Sequence, residues 1–178
     1  MNKCIFFDRD GIVNQRKING YIQVYAEFEF IKPFFEIFKK TDDYGFLKIL
    51  ITNQQGIGKG LMTEQDLSVI HNRMQFDLFQ KVGFGFDDIY YSPDLANSGS
   101  RTRKPEPGML LDALEKWNID KSKSFFIGDN TTDVLAGINA GVDTIFIGSE
   151  QNSNANYNFE DLETFNIKFE RVIAGLSK

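Results

Sequence analysis

Residues 3–11 read KCIFFDRDG, an apolar run that ends in two acids and a glycine. Because the run is apolar throughout and leads into a polar loop, it predicts a strand over residues 3–7. Asp8 and Asp10 then lie at the carboxyl end of that strand, where an extended chain points both carboxylates the same way unless Gly11 turns it. Paired acids repel each other unless a cation neutralises them, and Mg²⁺ does this well. A solvated turn explains the same residues equally well, so this stretch alone leaves both interpretations open.

The alternation of apolar strand and periodic helix continues outward from this stretch. Further strands are predicted at residues 46–51, 88–91, 124–127 and 144–147. Helices are predicted from residue 63, from residue 107 and over residues 131–140. The first of these begins at an N-cap candidate, Thr63, with Asp66 three residues on. Residues 149–158 are rich in Asn and predict a loop, and the apolar positions from Leu162 to Leu176 predict a final helix.

This pattern predicts an α/β fold, a three-layer, doubly wound parallel sheet of the Rossmann-like kind with helices on both faces. In such sheets the ligand binds beyond the carboxyl ends of the strands, where the polar motifs of this chain cluster. The predicted elements fill the spacings from Asp8 to Thr52 and from Thr52 to Lys104, so no cap domain is expected. We therefore expect residues 1–178 to form one domain with an open site.

Composition and charge narrow the classes of function. The net charge is −5, the pI is about 5.0 and no long basic run is present, which argues against binding of a nucleic-acid backbone. The single cysteine, Cys4, excludes an intrachain disulfide and a thiolate zinc cluster, and its apolar neighbours predict a core position. No segment has the apolar length of a signal peptide or a membrane span, so we expect a cytoplasmic protein without a membrane partner. We also expect a monomer with no nucleic-acid partner. The 18 Phe residues predict a bulky core.

Three further polar segments follow predicted strands. Residues 52–56 (TNQQG) offer hydroxyl, amide and backbone N–H groups to a phosphoryl oxygen, but they lack the spacing of a nucleotide P-loop. In residues 103–105 (RKP) the proline holds Lys104 extended, so that its ammonium can neutralise both the acids and a phosphate. In residues 128–130 (GDN), Asp129 is either a metal ligand or a helix cap. Each segment has a structural explanation when taken alone, whereas four such features at one rim of a sheet form a complete set for phosphoryl transfer.

These motifs and their order resemble the haloacid dehalogenase (HAD) superfamily of phosphotransferases. DRDG with Asn14, TNQQGIGKG, RKPEPGM and GDNTTD are similar to the branch that holds histidinol-phosphate phosphatase and heptose-bisphosphate phosphatase. The resemblance covers residues 3–147. It implies Mg²⁺-dependent removal of phosphate from a small phosphorylated metabolite through an aspartyl-phosphate.

The resemblance also implies a role for each site residue. Asp8 would be the nucleophile, Asp10 the general acid and base, and Thr52 and Lys104 would hold the phosphoryl oxygens. Mg²⁺ would be bound by Asp8, the carbonyl of Asp10 and Asp129, with waters completing its octahedron. The substrate side would be lined by Asn53, Gln55, Arg103 and Asn130.

Two segments depart from that branch. Its members usually carry a zinc loop with three Cys and one His, whereas residues 91–102 contain neither residue type and Ser92 stands where the first ligand is expected. We therefore predict no zinc. The stretch 15–21 is longer than in that branch and is expected to overhang the site, with Arg16 and Lys17 either meeting a distal phosphate or solvated.

Two further residues are expected to act indirectly or not at all. Asp133, one helical turn after Asp129, is expected to orient its loop and Lys104 from outside the metal site. His71 is the single His of the chain. It lies in a predicted helix and is expected to be on the surface or partly packed, because no step of the implied mechanism requires it.

Three functions remain open at this point. The first is a phosphatase that acts on a sugar phosphate such as a heptose bisphosphate, or on histidinol phosphate. The second is a polynucleotide 3′-phosphatase, whose family has a similar TNQ turn; the acidic pI and the lack of a basic stripe argue against it. The third is a catalytically inactive binding protein on the same scaffold, against which the full set of acids and the lysine argue.

Overall fold

A parallel sheet of six strands lies at the centre of the computed structural model, which describes residues 1–174. In chain order the strands are β1 (Cys4–Phe7), β2 (Leu47–Asn53), β3 (Asp88–Ser92), β4 (Phe125–Gly128), β5 (Asp143–Ile147) and β6 (Tyr157–Phe159). The helices are α1 (Lys32–Asp43), α2 (Glu64–Val82), α3 (Gly108–Lys116), α4 (Thr131–Ala140) and α5 (Leu162–Ala174). Single turns of 3₁₀ helix lie at Tyr25–Glu27 and Lys121–Lys123.

The order of the strands in the sheet is β3-β2-β1-β4-β5-β6, and every neighbouring pair is parallel. The chain runs outward to β3 on one side of β1 and then outward from β4 to β6 on the other side. The direction therefore reverses between β1 and β4, and in sheets of this kind the ligand crevice lies at the carboxyl ends of the two strands at that reversal. The predicted doubly wound α/β fold is confirmed.

Both faces of the sheet are buried, which explains why β1 and β4 are apolar or small throughout. On one face, Phe7, Phe34, Phe38 and Phe86 pack with ring centroids 4.8 to 6.2 Å apart. The core on the other face includes smaller side chains: Ala113, Ala136 and Ala140. The phenylalanine-rich runs thus form the core, as predicted, and Cys4 is buried among them.

The N-caps of α2 and α4 show which polar side chains serve a helix start and which remain available to a site. Thr63 begins α2 with a capping box, its side chain accepting from the Asp66 N–H. Asn130 begins α4 in the same way, because Asp133 Oδ2 accepts from the Asn130 N–H at 3.0 Å. Asn130 is therefore the N-cap, and Asp129, one residue earlier, is not needed as one.

The loop prediction for residues 149–158 is wrong at its end, because Tyr157 and Asn158 belong to β6. Tyr157 pairs with Ile145 of β5. A strand of three residues is too short to show a periodic pattern, and its central Asn is atypical of strands. The final helix is confirmed as α5, while Leu176 lies outside the described residues.

No domain is inserted among the described elements at the two places where one was considered. The 3₁₀ turn and α1 fill the chain between β1 and β2, and α2 fills the chain between β2 and β3. The rim of the sheet that carries the polar motifs is therefore open. None of the described helices combines the length and the apolar character needed to cross a bilayer.

Candidate active site

Asp8 lies directly after β1, where the sheet reverses direction. Its backbone N–H donates to the Ile127 carbonyl at 2.9 Å, which ties the residue to β4. Lys104 Nζ lies 2.7 Å from Asp8 Oδ1 and 2.7 Å from Asp133 Oδ1, and it donates to the Ile51 carbonyl at 3.0 Å. The Lys104 ammonium therefore bridges two buried carboxylates at the distances of charge-assisted hydrogen bonds.

Asp129 completes an acid cluster with Asp8 and Asp133, whose carboxylate oxygens lie within 4.8 Å of one another. Burial, together with the charge of Asp133, raises the pKa of Asp8 to about 7 in spite of Lys104. Burial likewise raises the pKa of Asp129 to about 6. Burial would lower the pKa of Lys104, but the charges of Asp133 and Asp8 raise it, so the ammonium stays protonated. The acid cluster therefore holds more negative charge than its buried lysine neutralises.

A second cationic side chain reaches this cluster from the surface. Arg16 donates to Asp129 Oδ1 at 2.6 Å and to the Asp10 carbonyl at 3.3 Å. These are two of the oxygen groups that the resemblance assigns, with Asp8, to Mg²⁺. Gly11 has a φ of +102°, and a Cβ at this position would come within 1.9 Å of Asp129 Oδ2, so only glycine fits there. Oxygen donors that already attract a cation match the preference of Mg²⁺, and the residues fit this ion.

The Asp10 carboxylate has its own set of donors. Asn14 Nδ2 donates to Oδ1 at 3.0 Å, Gln54 Nε2 donates to Oδ2 at 3.0 Å, and an Arg9 nitrogen lies 3.0 Å from Oδ2. Burial would raise the pKa of Asp10, but the Arg9 charge and these donors lower it overall. At neutral pH Asp10 is therefore ionised, the form that can accept a proton.

The last two residues of β2, Thr52 and Asn53, both belong to the predicted site, but the side chain of Asn53 is engaged differently from its expected place on the substrate side. The Thr52 hydroxyl oxygen accepts from Gln54 at 2.8 Å, which leaves its proton available for a ligand. Asn53 accepts from the Lys104 N–H at 3.0 Å and donates to the Lys104 carbonyl at 3.1 Å. Both polar atoms of the Asn53 side chain are thus engaged with the backbone of Lys104, whose position they fix.

Linked polar side chains line the mouth of a cavity of about 540 Å³ above the acids. The Tyr21 hydroxyl accepts from Gln55 and from Lys59, each at 2.9 Å. Gln55 in turn accepts from Arg103 at 3.3 Å, and Arg103 donates to the Asp94 carbonyl at 2.7 Å. This chain of contacts joins the 15–21 stretch to the turn after β2 and to the residue before Lys104.

The cations around this cavity differ in what they contact. Arg16 pairs with Asp129, and Lys17 pairs with Glu27. Arg103 and Lys59 contact carbonyl, amide or hydroxyl oxygens, and neither has a carboxylate partner among residues 1–174. Arg103 and Lys59 therefore have charge left for an anionic ligand.

Most of the side chains singled out from the sequence lie around one crevice. Asp8, Asp10, Thr52, Asn53, Gln55, Arg103, Lys104 and Asn130 all line the cavity. Asn130 Oδ1 is occupied by the Thr132 N–H at 3.1 Å, as expected of an N-cap.

Sequence reasoning missed several residues at this site. Gln54 and Lys59 lie within the TNQQGIGKG motif, and Arg9 lies within DRDG. The sequence pattern does not indicate which way their side chains point, so their contacts could not be predicted. Tyr21 belongs to the stretch 15–21, which was expected to overhang the site, but its contacts with Gln55 and Lys59 had no local signal. The expectation that His71 is on the surface or partly packed is wrong, because tertiary contacts bury this residue beside Arg9.

The segment where zinc ligands were considered is held by hydroxyl and carboxylate groups. Ser92 Oγ donates to Asp94 Oδ2 at 3.2 Å, and the Ser100 and Thr102 hydroxyls lie 3.0 Å apart. Arg101 anchors the end of the segment to Asp112 at 2.7 Å. These contacts give the short loop a means of support, and the absence of zinc stays a prediction.

Comparison with known proteins gives consistent matches. A family model described as HAD-hydrolase-like matches residues 101–177. A D-glycero-beta-D-manno-heptose-1,7-bisphosphate 7-phosphatase of Helicobacter pylori is 40% identical over 141 residues, which are 79% of this chain and 80% of that protein. A D-glycero-alpha-D-manno-heptose-1,7-bisphosphate 7-phosphatase of Burkholderia mallei is 35% identical over 153 residues, covering 82% of this chain and 79% of that protein.

A solved structure agrees with these sequence matches. The D,D-heptose 1,7-bisphosphate phosphatase of B. bronchiseptica, crystallised with magnesium and phosphate, superposes with a TM-score of 0.84 at 25% identity. The superposition covers 96% of this chain and 99% of that one.

Proposed function

The chain belongs to the HAD-like phosphatases, in the family of the heptose-bisphosphate phosphatases described above, and from this premise we propose that it hydrolyses the 7-phosphate of a D-glycero-manno-heptose 1,7-bisphosphate. The observation that carries the proposal is the buried bridge of Lys104 between Asp8 and Asp133, beside Asp129. It combines a nucleophile, a fixed positive charge and oxygen ligands for Mg²⁺ at one point.

In the proposed reaction Asp8 attacks phosphorus and becomes an aspartyl-phosphate. Lys104 Nζ, 2.7 Å from Asp8 Oδ1, counters the burial that raises the pKa of this nucleophile. Mg²⁺ held by Asp8, the Asp10 carbonyl and Asp129 would supply the further positive charge that keeps the carboxylates ionised and offsets the phosphoryl charge. The Thr52 hydroxyl and Lys104 are proposed to donate to phosphoryl oxygens.

Asp10 is proposed to transfer the protons. In its protonated form, which the lowered pKa makes the minor form at neutral pH, Asp10 gives its proton to the leaving sugar oxygen as the P–O bond breaks. The carboxylate that results then accepts a proton from the water that hydrolyses the aspartyl-phosphate. The donors Asn14 and Gln54 hold its carboxylate in place for both steps. Its lowered pKa favours the form that activates water.

The distribution of charge around the cavity supports a substrate with two phosphates. Arg103 and Lys59 are linked through Gln55 and Tyr21 and have no carboxylate partner among the described residues. We assign to them the phosphate that is not cleaved. Arg16 and Lys17, considered for this role from the sequence, are paired with acids instead.

Phosphate release from both anomers of the heptose bisphosphate tests this function. We expect turnover with Mg²⁺, none after chelation, and a loss in kcat of about four orders of magnitude or more for Asp8→Asn. Asp43→Asn, at the exposed end of α1, is the matched control and is expected to retain activity. Metal-independent turnover, or equal turnover by Asp8→Asn, would contradict the mechanism. Hydrolysis of p-nitrophenyl phosphate but not of either bisphosphate would contradict the substrate.

The second phosphate has a separate test. Arg103→Met and Lys59→Met are each expected to raise KM for the bisphosphate about tenfold, the effect of losing one charge-assisted hydrogen bond. KM for heptose 7-phosphate should change little, because this substrate lacks the second anion. Lys17→Met serves as the control cation. Equal changes for the two substrates would show that these residues do not bind the second phosphate.

The two alternative functions can be decided with the same preparation. A polynucleotide 3′-phosphatase would release phosphate from a 3′-phosphorylated oligonucleotide, which the net charge of −5 disfavours. An inactive binding protein would show no turnover of any phosphomonoester and would not bind BeF₃⁻ at Asp8.

A further inference from the structure

Arg9 lies between the two site acids in the sequence, but its side chain takes no part in the acid cluster. It is 1% exposed, which is rare for arginine. One terminal nitrogen lies 3.0 Å from Asp10 Oδ2 and 3.1 Å from Oδ1, and the other lies 3.3 Å from Nε2 of His71. Arg9 Nε has no hydrogen-bond partner among residues 1–174. Asp10 and His71 are therefore the side chains that hold this buried guanidinium.

His71 is suited to accept a hydrogen bond from Arg9. It projects from α2, is 7% exposed, and packs edge-on against Tyr91 of β3 with ring centroids 6.2 Å apart. Burial and the Arg9 charge lower the pKa of His71 to about 3, so the ring is neutral. Because arginine can only donate, Nε2 carries the lone pair and the ring proton resides on Nδ1. The imidazole is thus a fixed acceptor and not a proton carrier.

We infer that Arg9 is a positioning residue for Asp10 and that His71, through Nε2, fixes Arg9 in place. The inference rests on the proposed function, in which Asp10 transfers both protons. Three side chains orient the Asp10 carboxylate. Asn14 and Gln54 donate to it from the loops after β1 and β2. Arg9 contacts it as well and links it, through His71, to α2. Removal of the His71 acceptor would leave a second donor of this guanidinium unpaired, in addition to Nε. Because each unpaired buried donor is costly, we expect the guanidinium to shift, and the Asp10 carboxylate with it.

The two chemical steps depend on Asp10 in different ways, which makes the role measurable. In the first step the carboxyl proton goes to the leaving oxygen while the P–O bond breaks and the Asp8–phosphorus bond forms. An alkoxide leaving group needs that proton, whereas p-nitrophenolate leaves without it. In the second step Asp10 takes a proton from the attacking water, the Asp8–phosphorus bond breaks and phosphate departs, whichever substrate supplied the phosphoryl group.

The experiment compares His71→Leu, which removes the acceptor, with His71→Gln, which can restore one. Rapid-quench kinetics measure phosphorylation and hydrolysis separately. For His71→Leu we expect phosphorylation by the sugar phosphate to slow by about 10- to 100-fold, part of the effect of a general acid. Phosphorylation by p-nitrophenyl phosphate should stay within about threefold, and p-nitrophenolate should appear as a stoichiometric burst because hydrolysis is slowed. His71→Gln should restore phosphorylation by the sugar phosphate and hydrolysis of the aspartyl-phosphate toward their wild-type rates.

Arg9→Lys gives a second test, since lysine keeps the charge but cannot bridge two partners in the planar geometry of arginine. It should behave like His71→Leu. The control is Arg73→Met, an exposed position on α2, the helix that carries His71. It should leave the rates of phosphorylation and of hydrolysis unchanged. Circular dichroism and Tm show that each variant is folded before its rates are compared.

The outcomes separate this inference from the proposed function. If wild type turns over both substrates but His71→Leu and Arg9→Lys slow them equally, with no burst, Arg9 and His71 serve only packing and the inference is wrong. If wild type forms no aspartyl-phosphate, the proposed function and the inference both fail.

Discussion

Two buried lysines, at opposite ends of β2, each contact two carboxylates. At the amino end, Lys48 Nζ lies 2.7 Å from Asp42 and 3.5 Å from Asp87. At the carboxyl end, Lys104 Nζ lies 2.7 Å from Asp8 and from Asp133 and donates to the β2 carbonyl of Ile51. Each end of β2 thus has one buried lysine in contact with two aspartates.

The two sites differ in how much water reaches the acids. The side chains of Asp42 and Asp87 are 44% and 30% exposed, whereas those of Asp8 and Asp133 are 8% and 2% exposed. Water screens the first pair, but the second pair is buried beside a third acid, Asp129. An excess of buried acid around a fixed lysine distinguishes a site that can bind a metal and a phosphate from a structural ion pair.

Replacement of each lysine by methionine gives the largest contrast. Lys104→Met leaves Asp8 and Asp133 without their buried partner, so we expect a loss of about 3–5 kcal/mol in the free energy of unfolding. We also expect kcat to fall by about 10²- to 10³-fold, because a donor to the phosphoryl group is removed. Denaturant unfolding and steady-state kinetics measure the two effects. A Lys104→Met protein with wild-type kcat would remove the functional difference between the two ends.

Asp129→Asn tests the acid excess through pH. The folded pKa of about 6 is raised above the ordinary value of 3.8. The stability that this carboxyl contributes is therefore present below pH 3.8 and is lost as the pH rises through about 6. In EDTA at pH 8 we expect Asp129→Asn to melt about 5 °C above wild type, with the difference vanishing toward pH 4.

With Mg²⁺ present, we expect wild type to melt above Asp129→Asn at pH 8, the opposite of the order expected in EDTA. The ion is expected to raise the Tm of wild type at pH 8 and to have little effect on Asp129→Asn, because a ligand that binds the folded state stabilises it. The exposed-site control, Asp87→Asn, should keep the Mg²⁺ response of wild type. Equal Mg²⁺ responses in wild type and Asp129→Asn would place the metal elsewhere.

Arg16→Ala is expected to have a smaller effect, on metal affinity. Arg16 contacts the same Asp129 carboxylate and Asp10 carbonyl that are proposed for Mg²⁺, and its side chain is half exposed. An ion pair of this kind contributes about 0–1 kcal/mol, so removal of the competing cation should tighten Mg²⁺ binding by up to about fivefold. Titration calorimetry of the substrate-free protein measures it. Weaker Mg²⁺ binding in Arg16→Ala would mean that Arg16 supports the metal site.

Lys48→Met should have the smallest effect. Its partners can be solvated when the lysine is gone, and methionine fills a similar volume, so we expect a change within about 1 kcal/mol in the free energy of unfolding. Neither kcat nor Mg²⁺ affinity should change. A loss of activity in Lys48→Met would show that the amino end of the sheet is coupled to the site.

Much of the site was predictable because it depends on local order. Asp8, Thr52 and Asp129 each lie at or directly after the carboxyl end of a strand, and Lys104 follows β3 along the chain. A parallel sheet brings those ends to one rim whatever the details of packing. By contrast, β6 is a three-residue edge strand whose pairing with β5 leaves no periodic signal.

By itself, the sequence determined the alternation of strands and helices, the rim where polar groups gather and the residue types available for phosphoryl transfer. Only the tertiary structure decided which partners those side chains take. Arg9 contacts His71, 62 positions away in the sequence, and Arg16 contacts Asp129, 113 positions away. The Asn53 side chain hydrogen-bonds to the Lys104 backbone. The physical reason is that strand and helix patterns follow from neighbours in the chain, whereas a hydrogen bond or ion pair depends on atoms that packing alone brings within about 3 Å.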